Sequence, residues 1–207
     1  METFREGAPQ TLHRLLGPRT AYLIGSRNDD GSDHLCAASN VTNVGNATQL
    51  VALALWPKWT STRNIQGRGE FTINLMDAAD IESIWIVGYR YTKVAIPAGT
   101  SKFTAAGLGK QESVAVQPAG VREALAILEC KVVRVLDDVG DHVVFIGEML
   151  RGVARGGYFD SSDVLDTAKG HPAMQNSGRQ FAQAVVAATP DTEWCSKLVE
   201  SHVAGQR

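Results

Sequence analysis

Short apolar segments separated by tight turns run along much of the 207 residues, and this alternation most limits how the chain can fold. Residues 20–26, 35–41 and 49–56 each have the length and composition of a β-strand. The turn Asn28-Asp29-Asp30-Gly31 joins the first two of them and predicts a β-hairpin. Because helical patterns do not alternate regularly with strands, we predict a mainly β fold with short helices. A small antiparallel barrel with helices packed outside fits better than a parallel βαβ sheet.

The segment 126–136 predicts a longer strand whose apolar alternation changes phase. From Leu128 to Val132 the apolar residues occupy even positions, which places Glu129 and Lys131 on the outward face. From Val133 onward they occupy odd positions. A β-bulge near Val132 and Val133 would explain this change, because a bulge adds one residue to one strand only.

The most specific chemical pattern is Thr60-Ser61-Thr62-Arg63, at the predicted start of a helix that we end at Gly67. A helix start leaves backbone N–H groups unpaired and positive, so it suits a phosphate. Capping needs one hydroxyl, so three hydroxyls and a guanidinium predict an anion site. A plain helix cap with a surface arginine is the alternative. Trp59 adjoins this turn, whereas we interpret Trp56 and Trp85 as core or interface residues.

Composition narrows the classes of function. The net charge of -2 and a pI near 6.2 argue against a nucleic-acid partner. The apolar run 50–56 is too short to span a bilayer, and the polar first residues lack a signal-peptide pattern, so we expect a cytoplasmic protein. The three cysteines form no Cys-x-x-Cys pair, and the five histidines show no metal-ligand spacing, so we expect no metal site.

We divide the chain into a barrel domain, 1–155, and a C-terminal extension, 156–207. Within the extension, Thr189 and Pro190 predict a helix start. An apolar stripe then follows at helical spacing, and we expect it to pack on the barrel or on a partner subunit. The stripe consists of Trp194, Leu198, Val199 and Val203.

Six short motifs follow one another between residues 15 and 155. They are Cys36-Ala37-Ala38-Ser39-Asn40-Val41-Thr42, Thr60 with Asn64-Ile65, Gly69-Glu70-Phe71-x-x-Asn74-Leu75, Lys102-Phe103, Glu129-Cys130, and Gly140-Asp141-His142-x-x-Phe145-x-Gly147-Glu148. Each is weak alone, but their order resembles the flavin reductase-like family. The resemblance implies an FMN-binding split β-barrel of Greek-key type that forms a homodimer. The segment 45–48 departs from the family, in which many members carry a Pro-Pro pair.

The resemblance also implies where a cofactor lies. The FMN phosphate would contact the segment Trp59-Thr60-Ser61-Thr62-Arg63-Asn64, and Ser39-Asn40-Val41-Thr42 would follow the ribityl chain and the isoalloxazine. Asn74 and Lys102-Phe103 match further positions near the cofactor. His142 is the candidate catalytic residue, as a proton donor or a nicotinamide contact, and the alternative is an ordinary turn histidine.

For function, the resemblance implies an NAD(P)H-dependent FMN oxidoreductase. Such an enzyme passes a hydride from NADH or NADPH to flavin and supplies reduced flavin to a partner monooxygenase or another acceptor. Two alternatives remain within the family: a non-catalytic FMN-binding electron-transfer protein, or a specialised FMN enzyme acting on another small substrate. A split-barrel relative that uses haem or pyridoxal phosphate is a further alternative.

Overall fold

The computed structural model describes residues 4–45, 47–138, 140–185 and 190–204. Seven antiparallel strands form its main sheet, which curls into a half-barrel. In sheet order they are β3 (Asp33–Ala38), β2 (Tyr22–Arg27), β6 (Glu70–Leu75), β9 (Ala126–Leu136), β10 (Val143–Ala154), β5 (Leu50–Leu55) and β4 (Val41–Asn43). The prediction of a mainly β fold with short helices is confirmed, as is the hairpin between β2 and β3.

The remaining elements are short. Two smaller sheets consist of β1 (Arg19–Thr20), β11 (Ala173–Ser177) and β12 (Gln180–Gln183), and of β7 (Lys110–Gln111) with β8 (Gly120–Val121). The α-helices are α1 (Thr60–Arg68), α2 (Ile81–Val87), α3 (Tyr89–Thr92), α4 (Lys102–Ala105) and α5 (Thr192–Ala204). Pro9–Leu16 and Ala78–Asp80 are 3-10 helices. No described helix is long and apolar enough to cross a bilayer.

The sheet buries apolar side chains on both of its faces. On β2, Leu23 belongs to one core cluster and Ile24 to the other, as the alternation of a strand requires. Ile84 on α2 belongs to the first cluster, and Ile65 on α1 belongs to the second. The two helices therefore cover opposite faces of the same sheet.

The predicted bulge in β9 is confirmed. Arg134 pairs with Ile146 of β10 and Val132 pairs with Gly147, so Val133 is the extra residue. A Cβ atom at Gly147 would lie 2.6 Å from the Phe71 ring. The bulge and this glycine therefore allow the Phe71 ring to pack directly against the β10 backbone.

The strand predicted over 35–41 is shorter than expected. It ends at Ala38, and Val41 begins β4, which pairs with β5 at the opposite edge of the sheet. Ser39 and Asn40 form the crossing between the two edges. The pattern could not show this break because residues on both sides of it have strand-like composition.

Two features of the C-terminal helix can be compared with expectation. Thr189, the predicted cap, lies outside the described residues, and Asp191 instead accepts the N–H groups of Glu193 and Trp194. Trp194 is 59% exposed and Val199 is 61% exposed, while the side chain of Val203 is not described. Packing of this stripe on a partner subunit therefore stays a prediction.

The placement of Glu129 on an outward, solvent-facing side was wrong. Its side chain is 2% exposed. The carboxylate accepts the N–H groups of Val114 and Ala115 at 2.9 and 2.5 Å, and Nη1 of Arg151 donates to it at 2.5 Å. Burial would raise the pKa of Glu129, but the Ala115 N–H, Arg151 and the Val114 N–H outweigh burial and lower it. The carboxylate thus fastens the loop between β7 and β8 to the sheet.

Replacing Glu129 by Gln should lower the free energy of unfolding by about 3 kcal/mol, because a buried charge network loses its anion. The control is Glu148→Gln on the adjacent strand, where the side chain is exposed. Since the pKa of Glu129 is lowered, its contribution is complete above about pH 4.3 and is lost as the pH falls further. Urea unfolding at pH 7 and pH 3 measures both effects. Equal stabilities of the two variants at pH 7 would contradict this role.

The predicted end of the first helix at Gly67 was also wrong. The helix continues to Arg68, and Gly69 is the C-cap, with φ of 71° in the left-handed region. Either glycine could end a helix by composition, but only Gly69 adopts the conformation in which glycine is favoured.

Replacement of the two glycines by alanine should change the free energy of unfolding in opposite directions. Gly69→Ala should lower the free energy of unfolding by about 1 kcal/mol because of its positive φ. Gly67→Ala should raise it by up to about 1 kcal/mol, because the position is helical and a Cβ meets nothing within 4 Å. Denaturant unfolding of both variants is the measurement. A change of the same sign in the free energy of unfolding of both variants would show that Gly69 is not the C-cap of the helix.

Candidate functional site

One cavity of about 270 Å³ is enclosed by β3, the start of α1, the segment from α2 to α3, and the β11–β12 hairpin. It brings together predicted site residues from four separate parts of the sequence. These are Ser39, Asn40, Trp59, Thr60, Ser61, Lys102 and His142. The cavity is therefore the candidate functional site.

The other predicted residues lie outside this cavity. Val41 and Thr42 line a separate groove, together with Tyr22 and Met149. Phe103 is buried in the first core cluster. Their positions follow from the break after Ala38 and from the packing of α4.

Three predicted polar residues are buried and bonded to the protein itself. Thr62 Oγ1 donates to the Trp56 carbonyl at 2.7 Å. Asn64 Nδ2 donates to Asn28 Oδ1 at 2.9 Å. Asn74 Nδ2 donates to a backbone carbonyl of β2, while its Oδ1 accepts a backbone N–H of β8. The Arg63 side chain on α1 is exposed. In this structure the three buried side chains stabilise the turn and the sheet around the cavity.

The wall at Ser39 and Asn40 is held in place by two hydrogen bonds. Arg19 Nη1 donates to Asn40 Oδ1 at 2.6 Å. The Ala54 N–H donates to the Asn40 carbonyl at 2.9 Å. The crossing from β3 to β4 is thus fixed from both sides, which keeps the adjoining Ser39 at the cavity surface.

Ser61 has the clearest signature of a ligand contact. Its side chain is fully buried, and its Oγ has no hydrogen-bond partner of good geometry among the described residues. The Cys36 thiol, a weak hydrogen-bonding group, is its one polar interaction there, and this interaction lowers the pKa of the thiol against the larger effect of burial. Trp59 at the N-cap supplies no side-chain acceptor to the first turn. A buried unpaired hydroxyl costs free energy, so its presence at a helix start points to a bound acceptor.

The charge of the cavity wall is positive. No Asp or Glu among the described residues lines it, whereas Lys102 and Arg90 do. Burial lowers the pKa of Lys102 to about 8, with Arg90 adding to the decrease and Cys36 opposing it. An anionic ligand would restore the stability of the charged lysine, so the wall favours anions.

His34 is a functional candidate that sequence reasoning missed. It lies on β3 in the cavity wall, and burial lowers its pKa to about 4, with Lys102, Arg63 and Arg90 adding to the decrease. The imidazole is therefore neutral at pH 7 and offers one donor and one acceptor. No local motif marks it, because its setting comes from helices distant in sequence.

His142 also lines the cavity and directly precedes β10. Its Nδ1 lies 2.6 Å from Asp141 Oδ1, and its ring meets the Trp56 ring edge-on at a centroid distance of 5.7 Å. The hydrogen bond to His142 lowers the pKa of the Asp141 carboxyl. The pair fixes the ring orientation and leaves Nε2 as the nitrogen available to a ligand.

An aromatic wall was missed as well. Trp85, interpreted from sequence as a core or interface residue, lines the cavity instead. Tyr91 and Phe181 each meet its ring edge-on at 6.3 Å. The adjacent Thr92 Oγ1 is buried and has no described hydrogen-bond partner. The run Tyr89-Arg90-Tyr91 is the sequence signal that could have indicated part of this wall.

Residues 15–169 match the flavin reductase like domain, and the chain therefore belongs to the flavin reductase-like family. Members of this family bind FMN. The resemblance on which the fold expectation rested is thus confirmed, and the curled half-barrel is the split-barrel fold of the family.

Particular relatives agree with this assignment. An uncharacterized protein of Pyrococcus abyssi is 32% identical over 138 residues, which cover 67% of this chain and 75% of that protein. Nitrilotriacetate monooxygenase component B from Bacillus cereus is similar in structure, with a TM-score of 0.75 and 19% identity over 92% of this chain and 98% of that chain. An FMN-binding protein from Thermus thermophilus, solved with bound 1-cyclohex-2-enone, has a TM-score of 0.76 and 15% identity over 92% and 100% of the two chains.

The residues present fit FMN. The unpaired Ser61 hydroxyl and the free N–H groups of the α1 start suit a phosphate. The polar crossing at Ser39 and Asn40 suits the ribityl hydroxyls, and the positive wall suits an anion.

Stability measurements should separate Ser61 from its neighbour Thr62. Ser61→Ala should leave the free energy of unfolding of the FMN-free protein unchanged or raise it by up to about 1 kcal/mol, since the lost hydroxyl was unpaired. Thr62→Val should lower it by about 1–2 kcal/mol, because the Trp56 carbonyl loses its donor. A larger loss of unfolding free energy in Ser61→Ala than in Thr62→Val would mean that Ser61 is a structural residue.

Proposed function

We propose that this protein is an NAD(P)H-dependent FMN oxidoreductase that supplies reduced flavin to a monooxygenase or another acceptor. The observation that carries the proposal is the buried, unpaired Ser61 hydroxyl at the start of α1, in a cavity without described carboxylates. Membership of a family that binds FMN supports the same conclusion.

Each wall of the cavity has a part in holding the cofactor. Thr60, Ser61 and the first N–H groups of α1 bind the phosphate, while Ser39 and Asn40 hydrogen-bond the ribityl chain and the ring. Bound FMN supplies a two-electron acceptor for hydride, which no amino-acid side chain can supply. Lys102 provides a cation close to the ligand.

Hydride transfer between two rings depends more on alignment of the rings and on exclusion of water than on acid–base catalysis. Trp85, whose ring Tyr91 and Phe181 meet edge-on, contributes an apolar wall that excludes water and aligns a second ring. His34 is neutral and adds no charge to that environment. His142, oriented by Asp141, is placed to give or take a proton at the cavity edge.

The Bacillus cereus relative is named as a component of a monooxygenase, which supports the supply of reduced flavin to a partner oxygenase. A second candidate function follows from the aromatic wall and the unpaired Thr92 hydroxyl, which suit a small planar substrate. In that case the FMN-loaded protein would itself reduce the substrate. The bound cyclohexenone of the Thermus relative is an example of a small ring held by a protein of this fold.

We also propose a homodimer. Trp194 and Val199 on α5 are exposed, and Val41 and Met149 line a groove in which they are only partly buried. Their burial against a second copy would remove apolar surface from water.

The test is an anaerobic absorbance titration of the FMN-loaded protein with NADH and then with NADPH. Loss of the oxidised flavin band, faster than for the same concentration of free FMN, is the expected result. An unchanged spectrum with FMN still bound would exclude the oxidoreductase and leave an electron-transfer protein. Bleaching that is reversed by a small enone but not by an oxygenase would favour the second candidate.

The Ser61→Ala variant provides the matched control for the location of the cofactor. It should weaken FMN binding by about tenfold, the effect of one hydrogen bond to a charged group. Thr62→Val, whose side chain faces the protein, should bind FMN like the unmodified chain. Quenching of flavin fluorescence measures both affinities, and equal affinities in the two variants would place the phosphate elsewhere.

A further inference from the structure

Two cations converge on the ring of Tyr89 at one side of the cavity. Lys102 Nζ lies 4.9 Å from the ring centroid and Arg90 Cζ lies 5.9 Å from it. Arg90 Nε also donates to the Tyr89 hydroxyl at 3.1 Å. Both cations thus lie against one ring, and they belong to α3 and α4, not to α1, which carries Ser61.

Neither cation forms an ion pair with a carboxylate in the part of the chain that the structure describes. Like charges brought together repel, and half-burying a lysine adds a desolvation cost. The lowered pKa of Lys102 reflects that cost. An arrangement of this kind is stabilised when an anion binds between the two groups.

The FMN phosphate already has donors on a different element. Ser61 and the free N–H groups at the start of α1 face the cavity, and the charge of Arg63 reaches it, as its effect on His34 shows. One phosphate monoester carries about two negative charges. Arg90 and Lys102 add two positive charges to the cavity wall from elements other than α1.

We propose that Arg90, Lys102 and Tyr89 form a second phosphate subsite that binds the 2′-phosphate of NADPH, so that NADPH is preferred to NADH. This inference rests on the proposed function. NADPH and NADH differ only in that phosphate. In Rossmann-type folds, sites for NADH hydrogen-bond the free 2′-hydroxyl with a carboxylate, and sites for NADPH accommodate the 2′-phosphate with an arginine. The same chemistry applies to other folds, so an arginine in a cavity wall without described Asp or Glu agrees with NADPH.

The chemistry of the three side chains matches the adenosine end of the donor. A guanidinium presents paired donors to phosphate oxygens and a flat face to an adenine ring. Tyr89 holds that guanidinium through the hydrogen bond to its hydroxyl. Arg90 and Tyr91 are exposed, so this subsite lies at the mouth of the cavity, where a large adenosine group can remain partly in solvent.

Binding rather than turnover tests the subsite. The FMN-loaded protein is titrated by calorimetry with adenosine 2′,5′-bisphosphate and with adenosine 5′-monophosphate. We expect the bisphosphate to bind about tenfold more tightly, the effect of a charge-assisted phosphate contact. Arg90→Gln should abolish that ratio, and Arg90→Lys should restore part of it because the charge returns without the paired donors. Arg134→Gln, at an exposed position on β9, is the matched control and should keep the ratio.

Several results would overturn the inference. Equal binding of the two nucleotides by the unmodified protein would show that no 2′-phosphate is recognised. Weaker FMN binding in Arg90→Gln would assign the two cations to the cofactor phosphate. Nucleotide discrimination does not require hydride transfer, so failure here is distinguishable from failure of the flavin-bleaching test. Because Arg90 is exposed, its variants should fold, and the melting temperature checks this.

Discussion

The pairing of β9 with β10 is the constraint on which the rest of the molecule depends. These are the two longest strands, and two register shifts interrupt their ladder. On one side β6 pairs with β9, and on the other β5 pairs with β10. Because bulges increase twist and bend the strand, the sheet curls and encloses a core on each face. Without that curl, β3 and the start of α1 would not share a cavity with His142.

The elements that sequence predicted best are those specified by local pattern. The strand 126–136 was predicted with the bounds that the structure shows, since its alternation lies within the segment and a turn follows it directly. Glu129 was misplaced because the pattern assumes that one face of a strand meets water, and here a loop covers that face. The helix end was misplaced because only the backbone conformation distinguishes Gly69 from Gly67.

The residues of the candidate site were likewise predictable where their role depends on local sequence and not where it depends on long-range packing. The donors at Thr60 and Ser61 were predictable because helix-start chemistry is local, and the structure brings them into the cavity. His34, Arg90 and Phe181 were not, because long-range packing brings them together. Asn64 and Asn74 were predicted as cofactor contacts, but in the structure they bond to the protein itself. Their amides satisfy buried partners within the protein, and a side chain with that role cannot be told from a ligand contact by residue type.

The β11–β12 hairpin has a consequence for how such proteins diverge. It follows residue 169, where the match to the family domain ends, yet Gln175 and Phe181 on this hairpin line the cavity. The proposed cofactor contacts at Ser39 and Ser61 belong to the matched domain. Substitutions in the hairpin can therefore change which second molecule is accepted while the cofactor contacts are retained. The part of the cavity wall formed by this hairpin is thus encoded apart from the cofactor contacts and can change without them.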